Sequence, residues 1–149
     1  MQMQKSGLTL IELMVVISLL GIIAAFAIPK LLESKKTVNE NSALSALRTI
    51  SSAEEFYNTR FQKYGTLANM STANMIDNVL AAASTVGTAK SGFYFDLSLS
   101  VSRAAWTCIA RPAEWGITGE RNFKIDQRGL IMWNADAGSS TFTTALGQQ

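Results

Sequence analysis

The residue types that most often carry chemistry are scarce in this chain. It has no histidine and one cysteine, Cys108. Imidazole acid–base work, histidine metal sites and a disulfide within one chain are therefore excluded. No nucleophile–base set, phosphate-cradling glycine loop or metal-ligand cluster stands out either, so an enzyme is not expected and no cofactor is implied. What remains is one carboxylate in an unfavourable place. Eighteen of the twenty-one residues from Leu8 to Ile28 are apolar or glycine, and only Thr9, Glu12 and Ser18 interrupt them. A carboxylate inside a membrane span costs roughly 2.5–3.5 kcal/mol at the centre and less near an end. Glu12 has two readings. Either it lies close enough to the headgroups to be tolerated, helped by the positive helix N-terminus, or it draws a cation supplied from elsewhere. The second would be electrostatic recruitment.

The element that positions Glu12 is the apolar run itself. At ~1.5 Å per residue the run is about 31 Å long, enough to cross the hydrocarbon core once. The remainder reads as one soluble domain, which makes the chain a single-pass protein; 149 residues leave no comfortable room for two cores. An ordinary secretory signal places its apolar stretch before the cleavage site. Here a short polar segment, Met1–Gly7 (MQMQKSG), comes first and the apolar run starts directly after Gly7. Any cut would fall before the apolar segment and leave it on the mature protein.

The residues KSG-LTLIELMVVISLLGIIAAFAIP closely resemble the type III signal of type IV prepilins and of type II secretion pseudopilins. The resemblance implies that a prepilin peptidase cuts after Gly7 on the cytoplasmic side and N-methylates Leu8, the new first residue, where phenylalanine is more usual. It puts Glu12 at the family's acidic fifth mature position, and Gly21 and Pro29 at its helix-breaking pair. It also implies that the Glu12 carboxylate attracts the Leu8 amine of a neighbouring subunit during assembly. Such a head-to-tail contact does not close, so it generates a helical filament. Gly21 and Pro29 are either simply tolerated in the span or loosen it as the subunit leaves lipid, with a kink expected at Pro29. The charge flanks do not help: Lys30, Lys35 and Lys36 outnumber Lys5, so the orientation rests on the resemblance.

After Pro29 a charged collar, Lys30 to Lys36, leads into an amphipathic pattern. Ala43, Ala46, Leu47, Ile50, Tyr57, Phe61 and Tyr64 share one stripe, opposite Arg48, Ser52, Glu55, Thr59 and Lys63. The pattern predicts one helix from Leu8 to Tyr64, about 85 Å long, ended by Gly65. Glu54 is expected at the rim of the stripe with its carboxylate in water. Phe56 lies off the stripe, either as a plain exposed aromatic or as a contact to a neighbour. Thr66 to Ser91 reads as a small-residue connection with a short helix around Ala73–Ala83. Four strands follow: Phe93–Leu99, Trp106–Ala110, Asn122–Ile125 and Leu130–Trp133. The last two flank an Asp126-Gln127-Arg128-Gly129 hairpin link.

The expected architecture is α+β, a pilin fold. The protruding apolar half of one long helix precedes an amphipathic half laid on a four-stranded antiparallel sheet. Its parts are a removed leader (1–7), a transmembrane and polymerisation helix (8–29), the second half of the helix (30–65), and a connection, sheet and tail (66–149). Phe93, Phe95, Trp106, Phe123 and Trp133 are most simply sheet core. Cys108 is most simply a small core residue, with a reactive or intermolecular thiol as the minor reading. Arg103, Arg111, Arg121, Lys124 and Arg128 read as solvated surface. Net charge is +2, near neutral, so nothing demands a nucleic-acid partner. Asp126 and Asp136 raise the question of calcium, since the major pseudopilins of the resembled family carry a C-terminal calcium loop, but no matching run of ligands and no EF-hand spacing is found, so no metal is expected. The tail, Ala135–Gln149, also lacks paired cysteines and must be held another way or be mobile.

The resemblance implies a type IV pilin, made as a single-pass inner-membrane precursor and assembled into a surface filament. Adhesion, twitching motility and DNA uptake are its candidate uses. The alternative is a pseudopilin of a type II secretion system, assembling a periplasmic pseudopilus. A membrane-anchored binding protein is the weaker alternative. Its partners would be itself and related pilins, prepilin peptidase, the inner-membrane assembly platform and the membrane.

Overall fold

A computed structural model describes residues 9–146. Its elements run α1 (Leu10–Phe61), α2 (Leu67–Thr72), α3 (Asn78–Ala82), a 3-10 turn (Val86–Thr88), then β1 (Phe93–Leu99), β2 (Trp106–Pro112), β3 (Asn122–Asp126), β4 (Ile131–Asn134) and β5 (Thr144–Ala145). The chain divides into two compact units, Met1–Ser34 and Lys35–Gln149.

In the first unit every described residue, Thr9 to Ser34, is exposed. The part of α1 from Leu10 to Ile28 is about 28 Å long at ~1.5 Å per residue and is apolar on all sides. Among the described residues α1 is the one helix long and apolar enough to cross a membrane. Unbranched and β-branched apolar residues hold the helical state here because nothing competes for the backbone; Ser18 returns its hydroxyl to the Met14 carbonyl at 2.8 Å. Pro29 lies inside α1 and does not end it. Its missing N–H leaves the Ala25 carbonyl without its usual helical donor.

In the second unit α1 buries Ala43, Ala46, Leu47, Ile50, Ala53 and Tyr57 as the sequence stripe requires. These join Phe93, Phe95, Trp106, Cys108, Ala110, Phe123, Ile125 and Ile131 from the sheet in one core. The sheet is antiparallel throughout, in the order β1-β2-β3-β4-β5. Alternation is sharpest in β2, where Trp106, Cys108, Ala110 and Pro112 are buried. Cys108 is thus a core residue, and burial pushes its thiol well above the usual range. The β3–β4 link closes at Gly129, whose amide donates to the Asp126 carbonyl (2.9 Å) and whose φ of +73° favours glycine. Trp133 is only half-buried.

Several expectations change. The sheet has a fifth strand, because Thr144–Ala145 returns to pair with β4. The single short helix becomes two, each with its own N-cap: Thr66 accepts from the Asn69 amide, and Asp77 from the Leu80 amide. The helix starts at Leu10 and ends at Phe61, where Gln62 takes φ +55°. Gly65 is therefore not the terminator. It is small because a Cβ there would meet the Tyr57 ring at 3.0 Å. Phe61, expected on the packed stripe, is 41% exposed, its ring tilted by 37° against Tyr57 with centroids 4.5 Å apart.

The tail is held without a disulfide. Asn122 on β3 and Asn134 on β4 are register partners and both buried. The Asn122 amide donates to Asn134 Oδ1 (2.9 Å) and to the Asp136 carbonyl (2.8 Å), while Asn134 donates to the Thr141 carbonyl (2.6 Å). Arg111 adds a bond to the Ser139 carbonyl (3.2 Å), and Phe142 is buried. Side-chain amides thus satisfy the loop's carbonyls.

Candidate processing and assembly site

The residues singled out at the N-terminus fall into two groups. Gly7 and Leu8, the expected cut and methylation site, lie outside the described residues. Glu12, Gly21 and Pro29 all lie on α1.

Glu12 occupies the first turn of α1 in a reciprocal cap. The Thr9 amide and hydroxyl both donate to Glu12 Oε2, at 2.8 and 2.7 Å. The Glu12 amide in turn donates to the Thr9 hydroxyl at 3.3 Å. Thr9-Leu10-Ile11-Glu12 is thus a threonine–glutamate capping box, which satisfies donors that the first turn of any helix leaves free. The T-x-x-E spacing was available in the sequence, masked by the apolar run around it. Oxygen Oε2 carries both of these bonds. Ile11, Val15 and Val16 flank the carboxylate on the helix surface. The arrangement fixes a negative charge, preset in direction, on an otherwise apolar surface.

Gly21 has nothing within 4 Å of the place a Cβ would take. Packing inside this chain therefore does not require glycine there. Its absence of a side chain matters only to backbone freedom or to a surface brought up from outside.

A second set of polar residues lies in the second unit. Glu40, 5% exposed, accepts from the Glu120 amide at Oε1 (2.9 Å) and from Arg121 Nε and a terminal nitrogen at Oε2 (2.8 and 2.6 Å). Asn39 donates to the Thr118 carbonyl (3.0 Å), and Lys36 pairs with Glu120. Arg121 lies 5.7 and 5.5 Å from the ring centroids of Phe123 and Trp133. The reading of Arg121 as plain solvated surface is therefore replaced: together with its neighbours it fastens the β2–β3 loop to α1.

Glu54 also departs from expectation. It is fully buried, where a rim position in water was expected. The Gly65 amide donates to Oε2 at 2.9 Å, and Oε1 has no partner among the described residues. Burial pushes its carboxyl up to about 7. A helical wheel could place Glu54 near the stripe, but only the turn folding back over it closes it off. Among the described residues no cluster of His, Cys, Asp or Glu could hold a metal ion.

Comparison with known proteins bears on the N-terminal set. Residues 2–28 match the prokaryotic N-terminal methylation motif. Over 63 residues, 42% of this chain, the sequence is 35% identical to the type II secretion system core protein G of Aeromonas hydrophila, covering 44% of that protein. It is 33% identical over 66 residues, 44% of this chain, to the type IV major pilin protein PilA of Myxococcus xanthus, covering 30% of it. Core protein G of Vibrio cholerae is 35% identical over 54 residues, 36% of this chain and 37% of that protein. The matches thus span less than half the length of these relatives. With its single long N-terminal helix and antiparallel sheet in an α+β pilin-like arrangement, the chain carries the prepilin-type N-terminal methylation motif and has homologues named as type II secretion pseudopilin G and as type IV pilin.

Proposed function

We propose that this chain is a structural filament subunit of the type IV pilin kind. It is cleaved after Gly7 by a prepilin peptidase, methylated at Leu8, held in the inner membrane by α1 and polymerised into a helical surface fibre. The observation that carries this reading is Glu12 inside a segment matching the methylation motif. A plain anchor needs neither the acid nor the glycine before it. Thr9 holds the Glu12 carboxylate in a set direction, and in this reading it meets the Leu8 amine of the next subunit. Neutralising that charge in lipid favours assembly, and the contact repeats without closing. Gly21 and Pro29 would let α1 loosen on leaving the membrane. Leader, span, second helical half and C-terminal sheet keep the bounds 1–7, 8–29, 30–65 and 66–149 in this reading.

A pseudopilin of a type II secretion system is the second reading, favoured by the relatives named core protein G. Support for the pilin comes from the C-terminal loop, which Asn122 and Asn134 close where major pseudopilins use calcium.

Fibres sheared from cells, with intact mass and N-terminal sequencing of this protein, test the reading. A singly methylated chain beginning at Leu8 and abundant in long fibres is expected. A chain beginning at Leu8 but retained in the membrane fraction would select the pseudopilin. Retention of Met1–Gly7 in the mature pool would overturn both.

A further inference from the structure

We propose that Glu54 is a proton-operated latch on the turn that follows α1, shut when its carboxyl is protonated and released when it ionises. The geometry carries this. Glu54 is a fully buried carboxyl group whose hydrogen-bond partner is a single backbone donor, the Gly65 amide. Among the described residues its second oxygen meets no donor and no ion pair reaches it. An ionised carboxylate in such a place is stabilised by one N–H, where two or three donors or a cation are the rule. A neutral carboxyl fits with much less strain on the surroundings.

The groups around it add negative charge. Glu55 on the same helix disfavours ionisation. Tyr64 in the turn feels both glutamates, and Cys108 on β2 feels Glu54 and Asp96 of β1. Trp106 Nε1 on β2 is a further buried donor without an acceptor among the described residues, and its ring meets Tyr64 edge-on at 6.3 Å. The latch therefore sits where three pieces converge. The Gly65 amide ties the turn to α1, and the Tyr64 amide ties the same turn to the Arg103 carbonyl at 3.1 Å. Thr66, the next residue, caps α2. When the carboxylate forms, the cheapest route to solvation is for water to enter between α1 and this turn, which gives way there and loosens the start of the 66–91 connection.

The sign follows from linkage. The folded chain holds the proton up to about 7, and the unfolded chain releases it near 4.5. Between these values the folded state binds more protons, so stability falls as pH rises and levels off above about 7. The latch contributes in full below 4.5. The chain has no histidine, so no imidazole adds its own titration to that window.

The test is urea unfolding of the full chain in detergent micelles from pH 4.5 to 8.5, alongside Glu54→Gln, which keeps shape and acceptor and cannot ionise. Between pH 4.5 and 7 the wild-type ratio of folded to unfolded protein should fall by on the order of a hundred-fold relative to the variant. Hydrogen-exchange protection at Gly65 should drop over the same range in the wild type alone. Parallel pH dependences in the two proteins would overturn the proposal. Should Glu54→Gln not fold, carbon-13 titration of the wild-type Glu54 carboxyl decides: a midpoint near 7 supports the latch, and one near 4.5 sinks it.

Discussion

Two ends of the packed half of α1 solve one problem in opposite ways. Near its start Glu40, and about four turns later Glu54, each point a carboxylate into the domain and each accept a backbone amide from a loop. Glu40 also receives two bonds from Arg121; among the described residues Glu54 receives nothing more. The first end is a clasp whose charge is matched by a guanidinium. The second is matched only when it carries a proton. A buried carboxylate therefore secures a loop or senses pH according to the cation beside it, with burial the same in both cases.

The most forceful way to break the contrast is to make the first end resemble the second. Arg121→Met keeps the apolar contact with Phe123 and Trp133 and removes the cation. It leaves Glu40 buried with one donor. Stripping one partner from a buried pair costs about 2–5 kcal/mol. Arg121 is 38% exposed, so water screens the pair and the lower end of that range applies. The loss should exceed that of Arg48→Met, which removes an exposed cation from the outer face of α1. Urea midpoints of the two variants check this, and equal losses would contradict it.

The contrast also explains what could be read in advance. The strands from Phe93, Trp106 and Asn122 and the stripe Ala43–Ala46–Leu47–Ile50–Tyr57 were legible because period-2 and period-3.6 patterns record burial directly. The fifth strand was not, since two residues, Thr144–Ala145, carry no period. Glu54 was misplaced because its burial comes from Tyr64–Gly65 and the Arg103 loop closing over it, contacts set by tertiary structure. The Asn122–Asn134 pair was hidden for a related reason: two asparagines are informative only once the register sets them opposite each other. At the N-terminus the reverse holds. Glu12 was conspicuous because its surroundings are uniform, and its cap with Thr9 needed only local spacing.

A milder break acts on the second end. Gly65→Ala would place a Cβ 3.0 Å from the Tyr57 ring and push away the amide that Glu54 accepts. Overpacking of this kind costs about 1–3 kcal/mol, or roughly 4 °C in Tm per kcal/mol for a domain of this size. The protection of the Gly65 amide near pH 5 should fall along with Tm. A lowered Tm with unchanged protection would mean that the turn had shifted as a body, with the bond to Glu54 intact.

The smallest effect sharpens the comparison instead of breaking it. Lys36 and Glu120 form the outer pair of the Glu40 clasp. Glu120 is 60% exposed at its side chain and Lys36 23%, so water and salt compete for both. Exposed pairs of this kind contribute about 0–1 kcal/mol. Lys36→Ala should therefore shift the urea midpoint only slightly at low salt. At 1 M salt, where the screening length is about 3 Å, the difference from wild type should close. The Arg121→Met loss should persist under the same salt, because its charge partner is buried. If Lys36→Ala instead matched Arg121→Met in size and in salt resistance, the clasp would have to be understood as one network. Its stability would then depend on the outer pair as much as on the buried one.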